Sequence, residues 1–418
     1  MKWVSNLSTR ASLEAAVEEV VQRSQSALAT TADLGLVFIS SAFASEFPRL
    51  MPLLQERLPG VSLIGCSGGG IIGMGQSGQA EEIEGQPALS LTLASLPGVQ
   101  VRTFHLAAEE LPDLDSPPNA WMELIGVPVE AEPNFVLLAD PFSSKINDLL
   151  QGLDFAYAGS IKVGGLASTR VMGSNIALFC DYKFYQEGVV GVALSGNLVL
   201  ETIVAQGCRP IGQPYLVTEG ERNILLALEE EQTATGSTAR GSGAVVSQKR
   251  TPLEVLQDLI QSLNEEDRSL AQHSLFIGVA QSEFKQNLEP GDFLIRNLLG
   301  VDPRIGAIAI GDRIRPGQRI QFHLRDARAS ADDLETLLQR YRRQYGSETT
   351  SSGGALMFSC LGRGEGLYGE PNFDTRLFNR YLFNVPVSGF FCNGEIGPVG
   401  ESTFLHGYTS VFGICRQP

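Results

Sequence analysis

The sequence predicts a mixed α/β (α+β) protein of two packed domains, each with mixed β-sheets flanked by helices. Three observations carry that expectation. The chain has 418 residues, enough for two domains of ordinary size. Apolar residues make up 43% and charged residues 19%, which is ample material for packed cores. One unit recurs along the chain: an apolar strand, a short loop, a helix, a second apolar strand and a glycine-rich turn. A strand–helix–strand unit implies parallel pairing, and the hairpin-like runs after each copy imply antiparallel pairing, so mixed sheets follow.

In chain order, residues 1–30 form an N-terminal helix region, whose Leu13 to Leu28 stretch places Leu13, Ala16, Val17, Val20, Val21 and Ala27 on or near one helical face. The first copy of the unit runs from Leu36–Ser40 through a helix around Phe47–Arg57 to Val61–Gly70. The second runs from Phe135–Asp140 through a helix around Ser144–Leu150 to Ala158–Ala167. The third runs from Leu356–Cys360 through a helix over Asp374–Phe383 to Val387–Gly397. Further strand-like runs lie at Ala88–Ala94, Ile176–Cys180, Gly188–Leu194, Leu198–Val204 and Thr403–Ile414. The turn-rich segment Gln206–Pro214 separates a domain over 31–205 from one over 206–418. Residues 233–243, rich in Ser, Thr, Gly and Ala, read as a mobile surface insertion. Thr251, Pro252 and Glu254 mark a helix start with a capping box. Ala331–Tyr345 opens acidic and closes basic, as the helix dipole favours.

The formal charge of −16 argues against nucleic acid or an anionic membrane as the main partner. Met1 to Arg10 is too polar for a secretory signal, and the apolar run Gly188–Ala205 is interrupted by Ser195, Gly196, Asn197 and Glu201. Six scattered cysteines read as free thiols in a reducing cytoplasm. There is no C-x-x-C and the four histidines are far apart, so neither a metal nor another cofactor is expected.

Two G-x-G-x-x-G patterns, Gly73–Gly78 and Gly364–Gly369, lack a helix starting at the final glycine and read as turns. The three glycine-rich turns after strands are different. Successive backbone amides there can cradle a small anion, and glycine allows close approach of a ligand. Around the third turn, Arg363 suits a carboxylate, Glu395 lies in a Gly-Glu-Ile-Gly turn where it should be reachable by an ammonium group, and Asn393 shares that turn. His406 and Tyr408, two residues apart, share a strand face. Cys392 with His406 makes a hydrolase-like nucleophile pair, although an apolar strand around the cysteine favours an inert thiol.

These residues also carry a resemblance. Gly389-Phe-Phe-Cys-Asn-Gly-Glu-Ile-Gly-Pro-Val-Gly followed by Phe404-Leu-His-Gly-Tyr-Thr-Ser resembles the end of the FIST C-terminal domain, and Phe358-Ser-Cys-Leu-Gly-Arg-Gly an earlier strand of it. Gly65-Cys-Ser-Gly-Gly-Gly and Val163-Gly-Gly-Leu-Ala-Ser are similar to the two glycine turns of the FIST N-terminal domain. The resemblance implies a bacterial sensory protein, without catalytic activity, that binds a small polar metabolite such as an amino acid. The length leaves no room for an output domain, so a signalling protein partner is implied. One departure is Ser-Gly-Gly-Gly-Ile at 67–71, where related turns carry Gly-Glu-Ile. The competing expectations are a cysteine-dependent hydrolase and an interaction scaffold without a small ligand.

Overall fold

The computed structural model describes residues 1–142, 145–170, 175–230, 249–281, 285, 287–346 and 353–418. They form two compact units, one of Met1–Ala205 with Asp333–Pro418, the other of Gln206–Asp332.

The larger unit uses one motif three times. The first copy is strand Lys2–Ser8, helix Leu13–Leu28, strand Leu34–Ser40, helix Phe47–Arg57 and strand Ser62–Gly68. A hairpin of Gly70–Met74 with Ala80–Glu84 follows, then strand Leu89–Ser95. The second copy has the same order: strand Val99–Leu106, helix Pro118–Ile125, strand Asn134–Ala139, helix Ile146–Ala156, strand Lys162–Leu166, hairpin Leu178–Cys180 with Lys183–Tyr185, and strand Val189–Gly196. The third is strand Val199–Ala205, helix Ala327–Tyr345, strand Gly354–Cys360, helix Phe373–Tyr381, strand Val387–Cys392, hairpin Glu395–Val399 with Ser402–His406, and strand Ser410–Arg416. The smaller unit interrupts this third copy in chain order, from just after its first strand into the start of its first helix.

In each copy the two strands flanking the second helix pair in parallel, and their other neighbours are antiparallel. The hairpins do not stay at home. The first copy's hairpin completes the third copy's sheet through Ile71–Phe390 and Ile72–Gly389. The second copy's completes the first through Leu178–Cys66 and Phe179–Gly65. The third copy's completes the second through Glu395–Gly165 and Ile396–Gly164. Three six-stranded sheets of identical strand order result, linked in a ring by exchanged hairpins.

Their inner faces share one core, to which Phe38, Val136, Leu138, Phe358 and Phe390 contribute, with Phe38 and Phe390 stacked at 5.2 Å. The outer face of each sheet is closed by that copy's two helices. The helix Leu13–Leu28 follows this logic: Ser12 caps its start and its apolar stripe, including Leu13, Val17 and Val20, is buried.

A glycine fixes the parallel pair in every copy. A Cβ on Gly65, Gly164 or Gly389 would lie 2.0, 1.8 or 1.8 Å from the carbonyl oxygen of Val37, Leu137 or Met357, the residue opposite. No side chain fits there without separating the strands.

The smaller unit is a closed barrel in the order Cys208–Glu221, Ile224–Glu230, Ala307–Ile310, Phe293–Asp302, Leu275–Ala280 and Arg319–Arg325, antiparallel at every ladder. Alternation along its last strand sends Ile320, Phe322 and Leu324 into the core. The expected capping box forms: Thr251 Oγ accepts from Glu254 N at 3.3 Å, and Glu254 accepts from Thr251 N at 3.0 Å.

The mixed α+β class and two-unit organisation are therefore as expected, with two corrections. The third copy is not the centre of a second domain. It is the third face of the first unit, so the expected 206–418 domain divides after Asp332, while the expected boundary at 205/206 coincides with a unit boundary. The 1–30 segment is a strand as well as a helix, since Lys2–Ser8 forms the edge of the first sheet. The expected insertion at 233–243 and the helix start at Ser144 lie outside the described residues.

Candidate functional site at the strand ends

The glycine turns follow the carboxyl ends of the three parallel pairs, and the hairpin exchange forces them together. Ser168 N donates to Ser67 O at 3.1 Å, and Asn393 N donates to Leu166 O at 3.1 Å. The ring closes through one side chain: Gly69 N donates to Ser168 Oγ at 2.8 Å, and Ser168 Oγ donates to Phe391 O. Six residues from three distant segments thus form a hydrogen-bonded collar, with Gly69 so close to Leu361 that a Cβ would lie 2.3 Å from its side chain. Crevices outside the carboxyl ends of parallel strands are where open α/β sheets hold ligands.

Charged groups surround this collar. Arg170, two residues past Ser168, keeps 45% of its side chain exposed and reaches Glu84 Oε2 at 3.1 Å. Glu84 Oε1 accepts from Glu365 N at 2.9 Å, so this one carboxylate joins all three copies. Behind it, Arg363 is fully buried and forks onto Asp374, with Nε to Oδ2 at 2.7 Å and Nη2 to Oδ1 at 3.1 Å, and donates to the Tyr368 hydroxyl at 2.5 Å. Burial works against the Arg363 charge, but the Asp374 carboxylate more than offsets it and holds the guanidinium as a cation. Burial pushes the Tyr368 hydroxyl up and keeps it neutral.

The residues singled out from the sequence fall into two groups. Glu395 and His406 face each other across a ladder. Glu395 Oε2 accepts from Thr409 N at 3.0 Å, and His406 Nε2 donates to Gly397 O at 3.0 Å. Tyr408 is half-buried in the following turn, at a left-handed φ of 63°. Asn393 is exposed at the collar. Arg363 belongs to the other group, on the Asp374 side. Arg363 and Glu395 were expected within reach of solvent, and both have no exposed surface. The reason is the exchanged hairpins: Glu395 is laddered to Gly165 of the second copy, and the segment after Arg363 is bonded to the first copy's hairpin through Glu365 N and Glu84.

The Cys392 thiol donates to Phe390 O at 3.5 Å, and burial raises it well above the ordinary thiol range, which opposes thiolate formation. Arg170, Ser168 and Glu84 were missed by sequence reasoning. Ser168 stands at the end of the recognised Val163 turn, so extending that motif by two residues would have reached Arg170. Ile71 occupies the ladder position that Glu395 holds in the third copy, which explains the missing acid in the first turn.

A family model of the FIST N domain matches residues 33–231 and one of the FIST C domain matches residues 252–398. Uncharacterized proteins of Mycobacterium tuberculosis are 31% identical over 398 residues, covering 95% of this chain and 94% of theirs. An F-box/LRR-repeat protein of Arabidopsis thaliana is 31% identical over 117 residues, 24% of this chain and 22% of its own. A crystal structure of a cyanuric acid hydrolase from A. caulinodans aligns over 99% of both chains at 9% identity with a TM-score of 0.35, which establishes no shared fold. With both domain models matched in order and full-length relatives at 31% identity, the chain belongs to the FIST family, whose domains are generally described as sensory domains in signal transduction.

Proposed function

We propose that the chain is a cytoplasmic, non-enzymatic sensor that binds a small polar metabolite, of the amino-acid class, at the collar of strand ends. It would pass the signal to a partner protein. The observation that carries this reading is the convergence of all three glycine turns on one place, beside an arginine that keeps 45% of its side chain in solvent. Arg170 is engaged by one oxygen of Glu84 and retains the donors to take a ligand carboxylate. Asn393 and Tyr408 lie at the same strand ends and supply polar contacts. Arg363, Glu395 and His406 hold the floor of the site from beneath, since all three are buried. Among the described residues no helix is long and apolar enough to cross a membrane.

Isothermal titration against a panel of free amino acids and their decarboxylated amines tests this. Binding of at least one amino acid, lost in Arg170→Ala and weak for the matching amine, supports the reading. No binding by any member, or equal binding by Arg170→Ala, would sink it. The scaffold reading keeps one supporting observation. Leu299, Val301 and Ile305 of one barrel hairpin are 62%, 52% and 58% exposed, an apolar surface suited to a protein partner.

A further inference from the structure

We propose that Glu82, Asp374 and Arg363 form a proton-controlled latch that fastens the first copy's exchanged hairpin to the third copy's helix. This inference stands apart from the ligand reading, because it concerns how the ring of sheets is held shut.

Glu82 lies on the edge strand Ala80–Glu84 and packs against the start of helix Phe373–Tyr381. Two bonds clasp it there. Its backbone N–H donates to Asn372 Oδ1 at 2.5 Å, and its Oε1 accepts from Thr375 N at 2.7 Å. The residue is 4% exposed, and Oε2 is buried with no hydrogen-bond partner among the described residues. Arg363 Nη1 is likewise buried and without a partner among them. Asp374, on the same helix turn, is fully buried and spends both oxygens on Arg363.

The charge count then decides the protonation state. Glu82 and Asp374 lie close enough to repel in a water-poor cluster whose guanidinium is bonded to Asp374, and with both ionised the cluster carries a net negative charge. From the other packed elements, Glu84 adds a further carboxylate on the same strand, answered by Arg170, and Asp333 adds a weaker negative charge beside Arg363. Tyr368 is neutral, and Ile72, opposite Glu82 on the hairpin, is apolar. Like charges in a dry site cannot both ionise cheaply, so one carboxyl keeps its proton. Asp374 owns the bidentate arginine, which leaves the proton on Glu82. Burial first, and Asp374 second, push Glu82 up to about 8, despite the opposing pull of the Thr375 amide.

Release is a simple dissociation: the Glu82 O–H bond breaks, the electron pair stays on the carboxylate, and the proton passes to solvent base. The carboxylate formed must then be hydrated, and the clasp to the helix opens to admit water. The sign follows from the raised folded value. The proton's contribution to stability is complete below the ordinary carboxyl value of 4.5 and is lost as pH rises through about 8.

Amide hydrogen exchange at Glu82 and Thr375, in the full chain without ligand and corrected for intrinsic base catalysis, reads the latch directly. From pH 7 to 9 the wild type should lose about tenfold in protection at both amides. Glu82→Gln, which imitates the protonated acid, should stay protected across that range. Asp374→Asn gives a second reading. Freed of the competing carboxyl, Glu82 takes Arg363 as its own partner, and its transition moves down by at least about one pH unit. A flat wild-type profile, a Glu82→Gln profile that follows the wild type, or an Asp374→Asn transition that does not move would each overturn the proposal.

Discussion

Arg363 and Arg170 belong to the same web of charges around strand Ala80–Glu84, yet they stand in opposite situations. Arg363 has no exposed surface, a bidentate carboxylate and a tyrosine hydroxyl on its fork. Arg170 is 45% exposed and meets a single carboxylate oxygen. Both follow a strand that runs into the collar, and both suit a carboxylate by residue type. The difference is cover: the exchanged hairpin and its neighbouring helix close over Arg363, whereas the second copy leaves Arg170 at the rim. A buried arginine forked onto a carboxylate holds structure together, and a rim arginine with donors to spare suits a ligand.

The largest effect that tests this contrast is on stability. Arg363→Ala leaves the buried Asp374 carboxyl without its partner, and should cost about 3–5 kcal/mol in chemical denaturation. A loss under about 1 kcal/mol, comparable to an exposed pair, would erase the distinction between the two arginines. Next in size is thiol reactivity. Cys392 is buried with its thiol pushed up, while Cys360, on the neighbouring strand, is half-buried. A native-state thiol probe should label Cys392 more than about tenfold more slowly than Cys360. Rapid labelling of Cys392 would favour the hydrolase reading. Smallest is the stability change in Arg170→Ala, expected within about 1 kcal/mol because its pair is largely solvated on the arginine side. A large loss there would make Arg170 a second structural arginine and remove it from the proposed ligand site.

Much of this architecture was legible in the residues. The three strand–helix–strand copies, the amphipathic helix Leu13–Leu28 and the capped helix after Thr251 all follow from local periodicity and capping chemistry. The glycine turns were visible too, as was the interruption at Gln206. What escaped was partnership. Counting three copies against two expected domains led to a division that kept the third copy with the barrel. Nothing local says that Glu395–Val399 pairs with Lys162–Leu166, or that residues near 70 meet those near 390. The same blindness affected the site. A glutamate between glycines and an arginine between glycines both read as accessible, and exchanged strands cover both.

By itself the sequence determined the repeating element, because helical and strand periodicity are properties of neighbouring residues. It determined the acidic, apolar-rich character of the chain as well. Only the tertiary structure decided that three copies close into a ring, that the segment interrupting the third in chain order closes as a barrel, and which charges end in solvent. Burial and charge pairing are properties of whatever chain segment happens to lie on top, and here that segment is supplied by another copy hundreds of residues away.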